Sequence, residues 1–189
     1  MSEPIIEQSQ VLPYAYPLDD FYAQQGMTLP PIDSVDGSEL PEPYKSLLVH
    51  GNDMTPTLES YHGGHIHVTV MRRQTRGDFY YREVVLMRDT DDAPVEFGAI
   101  KINLGFFPTL ARQDILSERL PLGRILAERK IKHASRPRAY LRIQSDDFIN
   151  KALQMEGEHT LYGRRNTLWT PENKSLAEIV EILPIEPRA

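Results

Sequence analysis

Hydrophobic and polar residues alternate along six segments of the chain, which is the pattern of strands that bury one face. Turn residues separate the segments, and Arg76-Gly77-Asp78 predicts a hairpin with a longer loop. Hairpins joined in series predict an antiparallel sheet. Gly98 interrupts the third segment and marks either a bulge or a close approach of two backbones. The predicted strands are residues 66–70, 79–87, 95–104, 138–144, 160–169 and 176–183.

Shorter segments between the strands carry helix signals. Thr55 before Pro56 predicts an N-cap and a first helical position. Proline begins two consecutive segments that each have one apolar face, at Pro108 and Pro121, and this predicts a compact helical flap. Helices on one face of an antiparallel sheet give an α+β fold with about six strands. The predicted helices are residues 18–25, 56–61, 109–118, 121–126 and 148–154.

Residues 1–43 differ from the rest of the chain. Seven of the 15 prolines lie there, which excludes a long helix or a central strand. The same stretch carries four aromatic residues, more than a disordered tail usually has. The sequence therefore predicts a proline-rich arm over residues 1–43 that packs on one domain over residues 44–189.

Composition narrows the function classes. A net charge of −6 argues against general binding to nucleic acid or to an anionic membrane. No apolar run reaches the roughly 18–20 residues that a membrane span needs. The chain has no cysteine, which excludes disulfides, thiolate catalysis and cysteine-ligated zinc. The first ten residues lack the order of a signal peptide, so we expect a cytoplasmic protein.

Two charged residues interrupt strand faces that are otherwise apolar. Arg82 lies in the middle of the second predicted strand, and Glu181 lies in the last one. A buried charge without a partner is costly, so each side chain either pairs, reaches the sheet edge or meets a ligand. Glu178 interrupts the opposite face of the last strand, and periodicity alone does not choose between Glu178 and Glu181 as a functional carboxylate.

Two short motifs place glycine beside arginine. They are Pro121-Leu122-Gly123-Arg124 and Leu161-Tyr162-Gly163-Arg164-Arg165-Asn166. Glycine lets a ligand approach the backbone closely, and arginine grips a carboxylate with two parallel hydrogen bonds. Together the motifs suggest a site for a compact, doubly charged organic acid.

Two other clusters suggest chemistry less strongly. His65 and His67 point to one side of a strand at a spacing that a metal could use, but no carboxylate at a fixed spacing completes the set. The basic residues between Arg124 and Arg142 lack the interleaved aromatics of a nucleic-acid surface. We interpret both clusters as solvated surface and predict neither a metal nor a nucleic-acid partner.

Taken in order, six motifs resemble the chorismate pyruvate-lyase family, whose enzymes make 4-hydroxybenzoate. The resemblance runs from about residue 47 to residue 184, which is most of the chain. The motifs are Asp53-Met54-Thr55, Arg82-Glu83-Val84-Val85-Leu86, Pro94-Val95, Pro121-Leu122-Gly123-Arg124-Ile125-Leu126, Leu161-Tyr162-Gly163-Arg164-Arg165 and Glu181-Ile182-Leu183-Pro184.

The resemblance implies an antiparallel sheet whose helical flap closes an internal ligand pocket. It implies a carbon–oxygen lyase that eliminates pyruvate from chorismate and needs no cofactor or metal. In that role Arg82 grips a carboxylate, and Glu181 acts as general acid or stabilises the leaving hydroxyl. The resemblance further implies a substrate-binding set of Met54, Thr55, Leu122, Gly123, Arg164 and Arg165.

The chain also departs from the bacterial ubiquinone-pathway enzymes of this family. Residues 145–158 form an extra segment, the arm is longer, and the spacing from glutamate to proline near the end is one residue shorter. These differences keep two other functions open. One is a binding module for a small aromatic acid, as in effector domains of some transcription regulators, and the other is a lyase on a related cyclohexadiene acid. The sequence leaves the oligomeric state undetermined.

Overall fold

Seven antiparallel strands form one sheet in the order β1-β5-β6-β7-β4-β3-β2. The computed structural model describes residues 13–185. All six predicted strands are present, and the seventh, β1, is an edge strand from the proline-rich arm. The strands are β1 (Ile32–Val35), β2 (Ile66–Arg76), β3 (Phe79–Arg88), β4 (Pro94–Asn103), β5 (Ala134–Gln144), β6 (Thr160–Trp169) and β7 (Ser175–Leu183).

Helices cover both faces of the sheet, so the expectation of helices on one face is wrong. The central strands explain this, because they are apolar on both sides. Phe97 and Val180 pack with the first and last helices, whereas Ile100 packs with the helices of the opposite face. The helices are α1 (Leu18–Gln24), α2 (Tyr44–Leu48), α3 (Met54–His62), α4 (Thr109–Ser117), α5 (Leu122–Glu128) and α6 (Asp147–Ala152).

Two local predictions are also wrong, the longer loop of the β2–β3 hairpin and the N-cap of α3. The hairpin turns through Gly77 and Asp78 alone, since Arg76 already pairs with Phe79. A β-bulge after Val70 breaks the alternation of β2 and makes the strand look shorter in the sequence than it is. Helix α3 begins at Met54, so the N-cap position is held by Asp53 and not by Thr55.

The described part of the arm lies against the sheet. Leu18, Phe21 and Tyr22 are buried in the core on the α1 side, and β1 pairs with β5. Residues 1–12 of the predicted arm and residues 186–189 at the end of the predicted domain lie outside the described residues.

The pairing of the strands shows on which face of the sheet each charged residue lies. We call the face covered by α2–α5 the cavity face. Gly98 confirms a predicted close approach, because a Cβ at this position would lie 2.9 Å from the carbonyl oxygen of Val180. Two rows of paired residues cross β3, β4, β7 and β6 on the cavity face: Val84, Gly98, Glu181 and Arg164 in one, and Arg82, Ile100, Ile179 and Asn166 in the next.

Candidate ligand-binding cavity

A cavity lies between the cavity face of the sheet and helices α3 and α5. The cavity volume is about 60 Å³. A single buried water requires about 10–15 Å³, so the cavity has room for more than one water. Aliphatic side chains form most of the wall, and a few polar groups converge on it, as in sites for small molecules. The polar residues of the wall include Asp53, Arg82, Glu96, Asn166 and Glu181.

Arg82 supplies a buried positive charge to the cavity. The residue is only 2% exposed. Its Nε and Nη1 atoms have no hydrogen-bond partner among the described residues. A buried donor left without an acceptor costs about 1–3 kcal/mol, and more when the group is charged. Arg82 therefore has an unmet need for an acceptor, and an anion in the cavity would meet it.

The carboxylate that acts on Arg82, that of Glu118, is already engaged. Burial lowers the pKa of the Arg82 guanidinium, and Tyr80 and Glu118 raise it to a smaller extent. The Glu118 carboxylate accepts hydrogen bonds from the Tyr80 hydroxyl and from Arg73. Its negative charge stabilises the guanidinium from a distance and leaves the Nε and Nη1 donors of Arg82 available.

Two buried carboxyl groups, Glu96 and Glu181, line the same cavity. Glu181 forms an ion pair with Nε of Arg164. Burial raises the pKa of Glu96 well above its usual range, the nearby charge of Glu181 raises it further, and Arg164 opposes this. The structure therefore pairs a charge-compensated carboxylate with a carboxyl group that favours its protonated form.

Asp53 and Asn166 add hydrogen-bond acceptors to the wall. Oδ1 of Asp53 and Oδ1 of Asn166 are buried and have no partner in the described part of the chain. The other ends of both side chains are fixed: His133 Nε2 lies 2.7 Å from Asp53 Oδ2, and Asn166 Nδ2 donates to Ser135 at 2.9 Å. Both side chains are thus held in place with one oxygen each available to a ligand that can donate.

Six of the eight predicted site residues line the cavity. Met54 and Thr55 come from the first turn of α3, and Leu122 and Gly123 come from the first turn of α5. Arg82 and Glu181 reach the cavity from the sheet. Of the two candidate carboxylates, Glu181 lines the cavity, whereas Glu178 lies on the opposite face and pairs there with Arg165 at 2.6 Å.

Arg164 and Arg165 do not line the cavity. Arg164 is fully buried and spends its donors on Glu181 and on the backbone carbonyls of Leu48, His50 and Asn52, at 3.3, 3.1 and 2.9 Å. It therefore holds the segment before α3 against the sheet. Arg165 points to the other face of β6, as strict alternation requires.

The glycine–arginine motifs have a different role from the predicted one. Arg124 binds Glu59 and the carbonyl oxygen of Ile66, so it joins α5 to α3 and β2. Gly163 is needed for packing, because a Cβ there would overlap the carbonyl oxygen of Glu181. Of the two glycines and three arginines in these motifs, Gly123 alone lies at the cavity wall. The arginines of the motifs therefore do not reach this cavity, where the sequence suggested a site for a doubly charged acid.

The histidine cluster is spread over the surface. His65 lies 3.3 Å from Glu59, and His67 lies 2.8 Å from Asp89, each with an exposed ring. Within residues 13–185, no three histidine or carboxylate side chains are grouped so that they could hold a metal ion. Across that range, every helix is too short or too polar to cross a membrane.

Comparison with solved structures identifies the fold. No known protein family and no curated protein matches the sequence. The fold is shared with PhnF from Mycobacterium smegmatis (9% identity, TM-score 0.55, 91% of this chain and 95% of that chain). It is also shared with YydK of Bacillus subtilis, described as a possible transcriptional regulator (9% identity, TM-score 0.53, 90% of this chain and 77% of that chain). A third match is the gene product SA0254 of Staphylococcus aureus (10% identity, TM-score 0.52, 64% of this chain and 84% of that chain).

The fold is thus α+β and chorismate lyase-like, as the sequence resemblance predicted. At sequence identities near 10%, the structural likeness shows a shared fold and nothing more. A shared fold does not assign to this chain a lyase activity or the regulatory role of a neighbour.

Sequence reasoning missed Glu96. The residue shares its strand face with Gly98 and Ile100, so the signal that identified Arg82, a charge on an apolar strand face, was present here as well. The residue lies near the start of β4, two residues after Pro94 and inside the predicted strand 95–104. Asn166 belongs to one of the glycine–arginine motifs, but its position opposite Ile179 in the sheet could not be read from the sequence.

Proposed function

We propose that the protein binds a small carboxylic acid in the cavity, with the acid's carboxylate on Arg82. One observation carries the proposal: a guanidinium that is 2% exposed lines a cavity and has two unpartnered donors among the described residues. A carboxylate accepts two parallel hydrogen bonds from such a group. The aliphatic wall suits a compact hydrocarbon body, and this supports a ring or a branched skeleton.

Titration calorimetry with simple aromatic acids tests this proposal. We expect benzoate and 4-hydroxybenzoate to bind the wild-type protein, and Arg82→Met to abolish or strongly weaken both. Arg76→Met is a matched control, because the Arg76 side chain is 52% exposed on the neighbouring strand, where it lies 3.6 Å from Asp20 and over the ring of Tyr81. Equal affinity of the wild type and Arg82→Met would overturn the proposal.

Pyruvate elimination from chorismate is a second candidate function. It is favoured by the two carboxyl groups of the cavity, Glu96 and Glu181, since elimination needs both a base and an acid. The reaction breaks the bond between a ring carbon and the enolpyruvyl oxygen. A ring proton leaves to the base, the departing enol takes up a proton and becomes pyruvate, and the ring becomes 4-hydroxybenzoate. Atoms and charges balance without a cofactor.

Incubation with chorismate separates the two functions. A lyase releases pyruvate, detected with lactate dehydrogenase and NADH, together with the absorbance of 4-hydroxybenzoate in equal amount. A binding module takes up chorismate in calorimetry and leaves pyruvate at the spontaneous rate. Arg82→Met should remove both responses, and the Arg76→Met control should retain whichever one the wild type shows.

A further inference from the structure

We infer that Glu96 is the hydrogen-bond donor of the cavity: a carboxylic acid whose O–H binds a neutral acceptor at the end of the ligand remote from Arg82. The inference rests on the proposed function and names the class of acid that the cavity selects. Such an acid carries a hydroxyl, carbonyl or similar acceptor at the end opposite its carboxylate.

The first support is the position of the Glu96 carboxyl group. Gly98 is the direct partner of Glu181 across β4 and β7. The space that a Cβ of Gly98 would fill lies 3.5 Å from Oε1 of Glu96, so the carboxyl group extends over the glycine toward Glu181. Two neighbouring buried carboxylates repel each other, and such a pair retains a proton.

The second support is the supply of positive charge, which is sufficient for one carboxylate only. Arg164 donates to Glu181 and spends its remaining donors on backbone carbonyls. Glu181 from β7 and Arg164 from β6 act on Glu96, and Arg82 from β3 and Asp53 before α3 are the other charged groups that border the cavity. Arg164 compensates Glu181, so the proton of the carboxyl pair resides on Glu96. Burial of Glu96 acts in the same direction.

The third support is the separation of Glu96 from Arg82. Glu96 pairs with Leu86, four residues along β3 from Arg82. With about 3.4 Å per residue and about 4.8 Å between strands, the two Cα atoms lie about 14 Å apart. Glu96 lines the cavity, and its Oε2 is buried without a partner in residues 13–185. A cation and a carboxyl group thus border the same space from positions well separated along the sheet.

A pair of probes that differ only at the remote end tests the inference. Benzoate has no acceptor opposite its carboxylate, and 4-cyanobenzoate has a nitrile nitrogen that accepts and cannot donate. We expect the wild type to bind 4-cyanobenzoate about fivefold to tenfold more tightly than benzoate, the usual scale of one hydrogen bond. Glu96→Gln keeps a donor and should keep this preference. Glu96→Leu should lose it. Glu158→Gln, an exposed site, is the control and should keep the wild-type ratio.

Each result decides a different point. A wild type that binds benzoate more tightly than 4-cyanobenzoate overturns the inference, since an ionised Glu96 would repel the nitrile. A preference that survives in Glu96→Leu overturns it as well. If neither probe binds the wild type, the proposed function itself fails. Should Glu96→Leu not fold, as judged by its melting curve, the wild-type ratio and the Glu96→Gln ratio still decide the question.

Discussion

Replacing Arg82 with methionine should stabilise the protein and weaken the binding of carboxylates at the same time. Methionine is close to arginine in length and carries no charge, so it keeps the packing of the buried stem. The ligand-free wild type holds two buried donors of Arg82 without partners in the described chain. At about 1–3 kcal/mol for each such donor, their removal should raise the free energy of unfolding by about 2–6 kcal/mol.

The same substitution removes the anchor of the ligand. Loss of a desolvated, bidentate grip on a carboxylate should cost about 2–4 kcal/mol of binding free energy. At about 1.4 kcal/mol per tenfold change, the dissociation constant of benzoate should rise about 30- to 700-fold. One side chain therefore changes stability and affinity in opposite directions, which a purely structural arginine would not do.

Scanning calorimetry and titration calorimetry measure the two effects. A domain of this size shifts its melting temperature by about 2–4 °C per kcal/mol, so Arg82→Met should melt about 4–24 °C higher than the wild type without ligand. The exposed Arg76→Met control should stay within about 0.5 kcal/mol of the wild type. A clear fall in the melting temperature of Arg82→Met, together with unchanged benzoate affinity, would refute the reasoning.

Three further predictions concern the protonation, packing and chemistry of the site. The hydrogen bond to Asp53 raises the pKa of His133 in the folded state, so its contribution to stability is complete below the unfolded pKa of about 6.5 and is lost as pH rises through the folded value. Urea unfolding between pH 6 and 9 should show this loss in the wild type and not in His133→Gln, and parallel profiles would contradict it. Gly163→Ala should cost about 3 kcal/mol in urea unfolding, because its Cβ would overlap the backbone of Glu181; Gly64→Ala, where no described atom lies within 4 Å, is the control, and equal losses would contradict the steric argument. If the protein is a lyase, Glu181→Gln should slow pyruvate release by roughly 100-fold or more while chorismate still binds, and wild-type turnover would exclude Glu181 from the chemistry.

The sequence predicted the sheet well because its strands carry a local signal. Alternation of apolar residues located six strands, and a charge on an apolar strand face singled out Arg82. That signal depends only on the period of a strand, so it survives even where the partner strand is distant in the chain. The start of α3 was missed by two residues, because Thr55 and Asp53 are both good capping types.

The roles of the arginines could not be read from the sequence. Arg164 and Arg165 are neighbours in one motif and point to opposite faces of β6, where one binds Glu181 and the other Glu178. Which of the two faces holds the cavity depends on where α3 and α5 pack, and this is set by contacts distant in the chain. Glu96 was missed for the same reason, since its importance comes from Glu181 on a strand about 85 residues away.

The tight contact between α3 and α5 has a kinetic consequence. A Cβ on Gly123 would lie 2.7 Å from Oγ1 of Thr55, and both residues border the cavity as well as a depression on the outer surface. If a ligand enters from that depression, it passes where these helices touch, and it can do so only while they are apart. Its capture rate should then level off at high guest concentration, at the frequency with which the two helices separate, and cease to follow diffusion.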